Sequence, residues 1–167
     1  MELNEKLIIE IKKNSIYRLE ENLRMVLICI DKITEKDLWN KPSKKGVALG
    51  NQIIHVVGNM TQYLISSLGE KKFNRERDNE FKIDKRMTKS SLINMLSNTI
   101  QESKKTITKL SVENLLKTRK VQVYTLSGIG CLIHAVEHFS YHTGQIALLT
   151  KNITNNDLGF YDGIDLN

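Results

Sequence analysis

Two stretches with almost no charge decide the fold of this chain. Residues 46–69 read GVALGNQIIHVVGNMTQYLISSLG, and residues 121–150 read VQVYTLSGIGCLIHAVEHFSYHTGQIALLT. Charged residues make up 26% of the chain, yet the first stretch has none and the second has only Glu137. Segments so poor in charge belong in the interior. They carry all four histidines of the chain, which are His55, His134, His138 and His142.

The histidines of the second stretch recur every four residues. On an α-helix, residues four apart lie about 6 Å apart along the axis and on nearly the same face, so His138 and His142 can direct two imidazoles at one point. His134 and His142 would be about 12 Å apart, too far for two bonds of about 2.1 Å to one ion. His138 belongs to either usable pair. A helical projection groups His142 with Cys131, Ala135 and Leu149, but His134 with Tyr141 and Gln145. We therefore select His138 and His142 as the metal-binding pair.

The first stretch predicts a helix with one buried stripe and one neutral polar face. The stripe consists of Leu49, Ile53, Val56, Val57, Met60, Leu64 and Leu68, at ordinary core spacing. His55 lies on the other face, together with Asn51, Asn59, Gln62 and Ser66. A solvated face of so Lys- and Glu-rich a protein would include charge, so these amides indicate a polar cleft. A third imidazole from this helix would complete a three-histidine site with one open coordination position, as in catalytic zinc sites.

The histidines and the polar helix face also have simpler explanations. A single buried histidine is commonly a hydrogen-bonded core residue, and a polar stripe on a helix is commonly solvated or part of an interface. The confinement of the histidines to the two uncharged stretches favours the metal site.

Length and composition predict one all-α domain over residues 1–167. The chain has a single proline, Pro42, few aromatic residues, and long segments with three-to-four periodicity. The first residues lack the apolar core of a secretory signal, so we expect a cytoplasmic protein. Cys29 and Cys131 stand alone, which fits reduced core residues in a reducing compartment.

The net charge of +6 raises the question of nucleic acid. The densest basic run contains Lys104, Lys105, Lys109, Lys117, Arg119 and Lys120. Aromatic residues are not interleaved there, so nucleic-acid binding is expected not to be the function. Residues 46–69 are nearly long enough to cross a membrane, but five amide and imidazole side chains interrupt them, so we expect a buried helix and no membrane partner.

The periodicity predicts four long helices, over about residues 2–31, 48–68, 88–109 and 127–151. Thr88 is the expected N-cap of the third, and Ser127 or Thr125 that of the fourth. Short helical turns are expected at residues 34–39, capped by Thr34, and at residues 112–116, capped by Ser111. Residues 71–86 are expected to form the longest connection, which is polar and irregular. Residues 118–124 are expected to be extended, and the tail from residue 152 irregular. The result is a four-helix bundle in which the second and fourth helices share the histidines.

Three motifs together resemble the DinB/YfiT-like superfamily, in a branch of unknown function. They are GNQIIHVVGN at residues 50–59, RERDNEF at residues 75–81 and EHFSYHTGQI at residues 137–146. The resemblance covers nearly the whole chain in the right order. It implies a four-helix bundle, frequently a homodimer, that holds a divalent ion, often zinc or nickel, on one histidine of the second helix and an HxxxH pair of the fourth. The matching positions are His55, His138 and His142.

The resemblance also implies a class of activity. Characterised relatives include transferases and isomerases that use a low-molecular-weight thiol, and others are labelled metal-dependent hydrolases. We therefore expect a metal-dependent enzyme acting on a small-molecule substrate, with thiol transfer preferred. Hydrolysis and a non-enzymatic metal-binding bundle are the alternatives.

Several side chains near the three histidines have expected supporting roles. Glu137 precedes His138, so this is not the HExxH arrangement in which glutamate acts as general base. We assign Glu137, Tyr141 and Gln145 to support of the metal ligands or to helix packing. Asn51 and Asn59, one turn either side of His55, could orient that ring, line the cleft or bond to nearby backbone.

Arg75 and Arg77 lie in one of the family-like motifs, where they could hold an anionic substrate such as the carboxylate of a thiol. A solvated salt bridge with Glu80 is the alternative for these two arginines.

Overall fold

Four long helices build the protein, for which a computed structural model describes residues 3–82 and 87–165. They are α1 (Leu3–Asp31), α3 (Leu49–Met60) with a π-helical continuation over Thr61–Leu68, α4 (Lys89–Lys109) and α6 (Gly128–Thr154). Helices α1 and α3 each pack against both α4 and α6. The expected all-α bundle is confirmed.

Short elements connect the long helices. Helix α2 (Glu35–Trp39) follows α1, a 3₁₀ turn (Arg77–Phe81) lies between the second and third long helices, and α5 (Val112–Leu116) follows α4. Strands β1 (Thr118–Val121) and β2 (Tyr124–Ser127) form an antiparallel hairpin that pairs Thr118 with Ser127. None of the helices in the described residues is long and apolar enough to cross a membrane.

Helix starts follow the capping residues of the sequence. Thr34 and Asp37 form a capping box at α2, and Ser111 and Asn114 form another at α5. Thr88 accepts a hydrogen bond from the backbone N–H of Ser91 at the start of α4. Each such cap stabilises a helix by about 1 kcal/mol. Of the two candidates for α6, Ser127 is the cap, accepting from the N–H of Gly130.

The uncharged stretches form the centre of the core. The buried apolar residues of the second long helix are Leu49, Ile53, Ile54, Val56, Met60, Tyr63, Leu64 and Leu68, and those of α6 include Cys131, Leu132, Ala135, Phe139 and Ile146. Helices α1 and α4 cover this core with buried residues such as Leu19, Val26, Leu96 and Ile100. Both cysteines are buried with free thiols.

The local structure differs in detail from the expectations. The second long helix is not α-helical throughout, because it becomes π-helical at Thr61. Leu64 and Leu68 stay buried, so an apolar spacing of four does not distinguish the two helix types. Residues 118–121 are extended as expected, but they pair with residues 124–127 in a hairpin, whose turn has Gln122 at φ 55° in place of the Asn-Gly or Asp-Gly signal. Helix α6 continues to Thr154, where Asn155 adopts φ 53° and ends it.

The predicted long connection over residues 71–86 is not wholly irregular, because its middle forms the 3₁₀ turn. Residues 83–86 of that connection lie outside the described residues.

Trp39 packs directly on the backbone of α3. Its indole N–H donates to the Met87 carbonyl at 3.0 Å, and its ring lies against Gly50. A Cβ at Gly50 would lie 2.8–3.0 Å from three ring atoms of Trp39. Glycine at this position therefore allows α2 to approach the start of α3.

We expect Gly50→Ala to lower the free energy of unfolding by about 1–3 kcal/mol, because the added methyl group overpacks the Trp39 contact. The control is Gly144→Ala in α6, where a Cβ would meet nothing within 4 Å. That change should stabilise the helix by about 0.5–1 kcal/mol. Urea unfolding measures both; equal effects of the two variants would contradict the packing argument.

Candidate metal centre

Three histidines converge between the second and fourth long helices. His55 comes from α3, and His138 and His142 come from successive turns of α6. The ring centroids are 4.9 Å apart for His55 and His138, 5.1 Å for His55 and His142, and 4.6 Å for His138 and His142. One nitrogen from each ring lies within 4.8 Å of the other two, so the group could hold a metal ion.

Ring nitrogens of His55 and His138 approach each other closely. Nε2 of His55 lies 3.1 Å from Nε2 of His138. Two nitrogens that each lie about 2.1 Å from one ion are at most about 4.2 Å apart, so this separation is compatible with a shared ion. Nδ1 of His138 is buried and has no hydrogen-bond partner among the described residues.

A buried carboxylate fixes the His55 ring. Oε2 of Glu80 lies 2.7 Å from Nδ1 of His55, and the Glu80 side chain is only 9% exposed. When Nδ1–H donates to this carboxylate, Nε2 carries the lone pair and faces the other two histidines. Metal-binding histidines are commonly held in this way by a carboxylate behind the ring.

Arg75 completes the arrangement behind His55. Its guanidinium donates from Nε to Oε1 of Glu80 at 2.6 Å and from Nη2 to Oε2 at 2.9 Å. It also donates to the Gln62 amide and to the His55 carbonyl. Burial would raise the pKa of Glu80, but the hydrogen bonds from His55 and Arg75 outweigh burial and hold its pKa below the ordinary value. Glu80 therefore stays ionised beside His55.

The close approach of Glu80 to α3 depends on a glycine. A Cβ at Gly58 would lie 2.1 Å from Oε1 of Glu80 and 3.0 Å from Nε of Arg75. Asn51, two helical turns earlier, donates from its amide to the Glu80 carbonyl at 2.9 Å. Helix α3 thus accommodates Glu80 with a missing side chain at one position and a hydrogen-bond donor at another.

His138 and His142, the two members of the group that α6 supplies, are neutral at neutral pH. Burial, followed by the charges of His142, His55 and His134, lowers the pKa of His138 to about 3. Burial, followed by the charge of His55, lowers the pKa of His142 to about 4, and a hydrogen bond with Gln145 acts in the opposite direction. Neutral imidazoles have a lone pair available for a metal ion.

Amides and one aromatic ring surround His142. Its Nδ1 lies 3.3 Å from Oε1 of Gln52, and Gln145 is a second hydrogen-bond partner. Tyr141 is 62% exposed and its ring meets the His142 ring edge-on, with centroids 5.1 Å apart. Glu137 is exposed on the outer face of α6.

His134 belongs to a separate contact. Its ring stacks on Tyr63 at a centroid distance of 4.0 Å, and its Nε2 lies 3.2 Å from Nδ2 of Asn59. Burial lowers the pKa of His134. Within the described part of the chain, the group of potential metal ligands contains His142 and not His134.

The two arginines of the family-like motif have different surroundings. Arg75 forms the ion pair with Glu80 that was the alternative to anion binding, but the pair is buried rather than solvated, since the Arg75 side chain is 4% exposed. Arg77 is exposed, and its guanidinium carbon lies over the Phe81 ring, 5.3 Å from the centroid.

Sequence reasoning gave no supporting role to Glu80 or Gln52. Glu80 lies in an irregular polar segment, 25 residues from the histidine that it contacts. Its presence in the family-like motif was the available signal. Gln52 lies three residues before His55, which places both on neighbouring parts of one helix face. That spacing could have identified Gln52.

A cleft opens beside His142, with a volume of about 280 Å³. We call it the His142 cleft. Its described lining consists of five apolar residues, Pro42, Val47, Phe81, Leu148 and Leu149, together with Gln52, Gln145 and His142. The Phe81 ring also contacts His55, with centroids 4.9 Å apart. The cleft therefore borders His142 directly, and Phe81 connects its wall to His55.

Solved structures with a similar fold come from three bacteria. A DinB-like protein of Bacillus subtilis, YjoA, aligns with a TM-score of 0.65 and 12% identity, over 84% of this chain and 91% of that chain. A DinB-like protein of Bacillus cereus gives 0.64 and 16%, over 82% and 86%. A conserved protein of Enterococcus faecalis gives 0.63 and 14%, over 93% and 99%. At these identities the similarity shows the fold, which is DinB-like as expected.

Sequence comparison agrees with the predicted branch of unknown function. No curated protein matches the chain. A profile of the family described as "Protein of unknown function (DUF1572)" matches residues 9–161, which is nearly the whole chain. The chain therefore belongs to the DUF1572 family of proteins of unknown function.

Proposed function

We propose that His55, His138 and His142 bind a divalent ion, zinc or nickel, and that the protein is a metal-dependent transferase using a low-molecular-weight thiol. The observation that carries the proposal is the convergence of three ring nitrogens within 4.8 Å. The carboxylate behind His55 and the low pKa values of His138 and His142 support metal binding.

Two features favour a catalytic over a structural ion. Structural zinc sites have four protein ligands, whereas catalytic sites have three and keep one position for water or substrate. The described residues supply three histidines, and the His142 cleft gives a small molecule access to this side of the group.

Each surrounding group has a defined task. A bound divalent ion would lower the pKa of a thiol or water that shares its coordination shell, giving a nucleophile at neutral pH. Glu80 holds the proton of His55 at Nδ1, and Arg75 keeps Glu80 ionised. Gln52 and Gln145 orient the His142 ring. The apolar walls of the cleft offer a contact surface for hydrocarbon beside His142.

Hydrolysis by activated water uses the same residues and is the alternative reaction. Turnover of glutathione or cysteine with chlorodinitrobenzene as the electrophilic acceptor tests thiol transfer on the zinc- and nickel-loaded protein. Strong thermal destabilisation by a chelator, without turnover of thiol and acceptor or of ester substrates, would favour a non-enzymatic metal-binding bundle.

The basic run over residues 104–120 gives little support to nucleic-acid binding. Lys104 pairs with Glu20, Lys105 with Glu102 and Lys117 with Glu70. Arg119 donates to the backbone carbonyls of Ser67, Asn114 and Lys117. Much of this positive charge is engaged within the protein.

Metal content tests the three-histidine site. Tag-free wild-type protein, loaded with zinc or nickel and dialysed, should hold about one equivalent per chain, and His138→Ala should hold less than about a tenth because it removes a nitrogen donor. His134→Gln, which changes the histidine outside the group, is the control and should retain the metal. Metal content below about a tenth of an equivalent in the wild type, or unchanged content in His138→Ala, would contradict the proposal.

The carboxylate behind His55 should set the metal affinity. Glu80→Gln is expected to weaken zinc binding by about 10- to 100-fold, because the amide does not hold the Nδ1 proton as strongly. Glu76→Gln is the matched control, since Glu76 is exposed in the same segment and bonds Asn79. Competition with a chelating dye measures both affinities, and circular dichroism verifies that each variant is folded. Equal zinc affinities of Glu80→Gln and Glu76→Gln would show that Glu80 does not contribute to metal binding.

Acidification should destabilise the metal-free protein through His138 and His142. Their pKa values are about 3 and about 4 in the folded state, against 6.5 as the ordinary value. Between about pH 6.5 and pH 4 the unfolded chain binds more protons, so this contribution to stability is complete above about pH 6.5 and is lost as pH falls.

Urea unfolding with a chelator, at about pH 7.5 and about pH 5, measures this effect against the His138→Gln, His142→Gln double variant. The wild type should lose more stability than the double variant on acidification. Equal losses of stability in the wild type and the double variant would show that the two rings bind protons in the folded protein at about pH 5.

A further inference from the structure

The His142 cleft is neutral in a strongly charged protein. Charged residues make up 26% of the chain, yet none of the described residues that line the cleft is charged. Five of the eight are apolar, and the polar ones are Gln52, Gln145 and His142. A charged group placed against these walls, away from the proposed ion, would lose hydration energy that no opposite charge on the walls returns.

Arg75, the guanidinium beside His55, is not free to pair with a charged ligand in the cleft. Arg75 is 4% exposed and donates to the Glu80 carboxylate, the Gln62 amide and the His55 carbonyl. An anion that displaced Glu80 from Arg75 would leave this buried carboxylate without its guanidinium partner. Arg77 remains as an exposed cation over one wall of the cleft, the Phe81 ring.

The size of the cleft suits a small group. Its volume of about 280 Å³ is near the lower end of the range for ligand pockets, about 300–1,000 Å³. Its amides can bond a neutral carbonyl or hydroxyl group, and its apolar walls gain from contact with hydrocarbon.

We propose that the His142 cleft binds the uncharged, apolar portion of the small-molecule substrate and so directs its reacting atom toward the histidines. This inference rests on the proposed metal site and names the substrate class that the site takes: an uncharged molecule with a short hydrocarbon tail, distinct from the thiol.

Hydroxamates of different tails test the proposal on the zinc-loaded protein. The hydroxamate group binds the open position of a zinc ion, and the tail reports the adjoining cleft. The probes are acetohydroxamate, hexanohydroxamate and succinic monohydroxamate, whose tail ends in a carboxylate. Since a buried methylene contributes up to about fourfold in affinity, hexanohydroxamate should bind at least about tenfold more tightly than the other two. Isothermal titration calorimetry measures the three dissociation constants.

A charge introduced into the cleft wall should reverse the preference. Leu148 lines the cleft and is 61% exposed, so Leu148→Lys should fold normally. It should lower the affinity for hexanohydroxamate and raise that for succinic monohydroxamate, each by about threefold or more. Ile153→Lys is the control, because Ile153 is exposed on the same helix but outside the cleft lining, and it should leave both affinities unchanged.

The outcomes separate this inference from the proposed function. Tighter binding of succinic monohydroxamate by the wild type would overturn the inference and identify a charged partner such as Arg77, while the zinc site would stand. Equal affinities for all three probes would also overturn it. If the protein holds no zinc, the proposed function fails, and hexanamide against succinamate tests the neutral preference of the cleft on the metal-free protein.

Discussion

The contact between the Glu80 carboxylate and the His55 ring is the interaction on which the site depends. It attaches the 3₁₀ turn to α3, sets the direction of His55, and brings Phe81 against both the ring and the His142 cleft. Removing one member of a buried ion pair typically costs about 3–5 kcal/mol, because the other charge is left without a partner. Arg75, Glu80 and His55 therefore act as one unit, and the connection between the second and third long helices is part of the site.

Helical periodicity was sufficient to predict the four long helices and their order. Capping residues such as Thr34 and Thr88 located helix starts, because a side-chain oxygen at that position satisfies a free N–H of the first turn. The four-residue spacing of His138 and His142 and the neutral face around His55 singled out the three histidines that lie together in the structure. These signals are local, and local geometry follows from local sequence.

The parts that could not be predicted depend on contacts between distant residues. The 71–86 segment contains several carboxylates, and no periodicity shows that Glu80 is the one that turns inward. Whether Arg75 forms a solvated or a buried pair depends on the absent side chain at Gly58, which is a property of another helix. The π-helical turn escapes prediction because its apolar spacing matches an α-helix. The hairpin escapes because Gln122 and Val123 are not typical turn residues.

The steric relation between Gly58 and Glu80 has a consequence for how this protein can vary through evolution. Any side chain at position 58 would occupy space held by the carboxylate oxygen, since even a Cβ would lie 2.1 Å from it. A lineage that acquires alanine at position 58 before position 80 changes passes through an intermediate in which the Glu80 carboxylate is displaced from its place beside His55. Positions 58 and 80 should therefore covary. Homologues with a larger residue at 58 should also have a shorter or uncharged residue at 80.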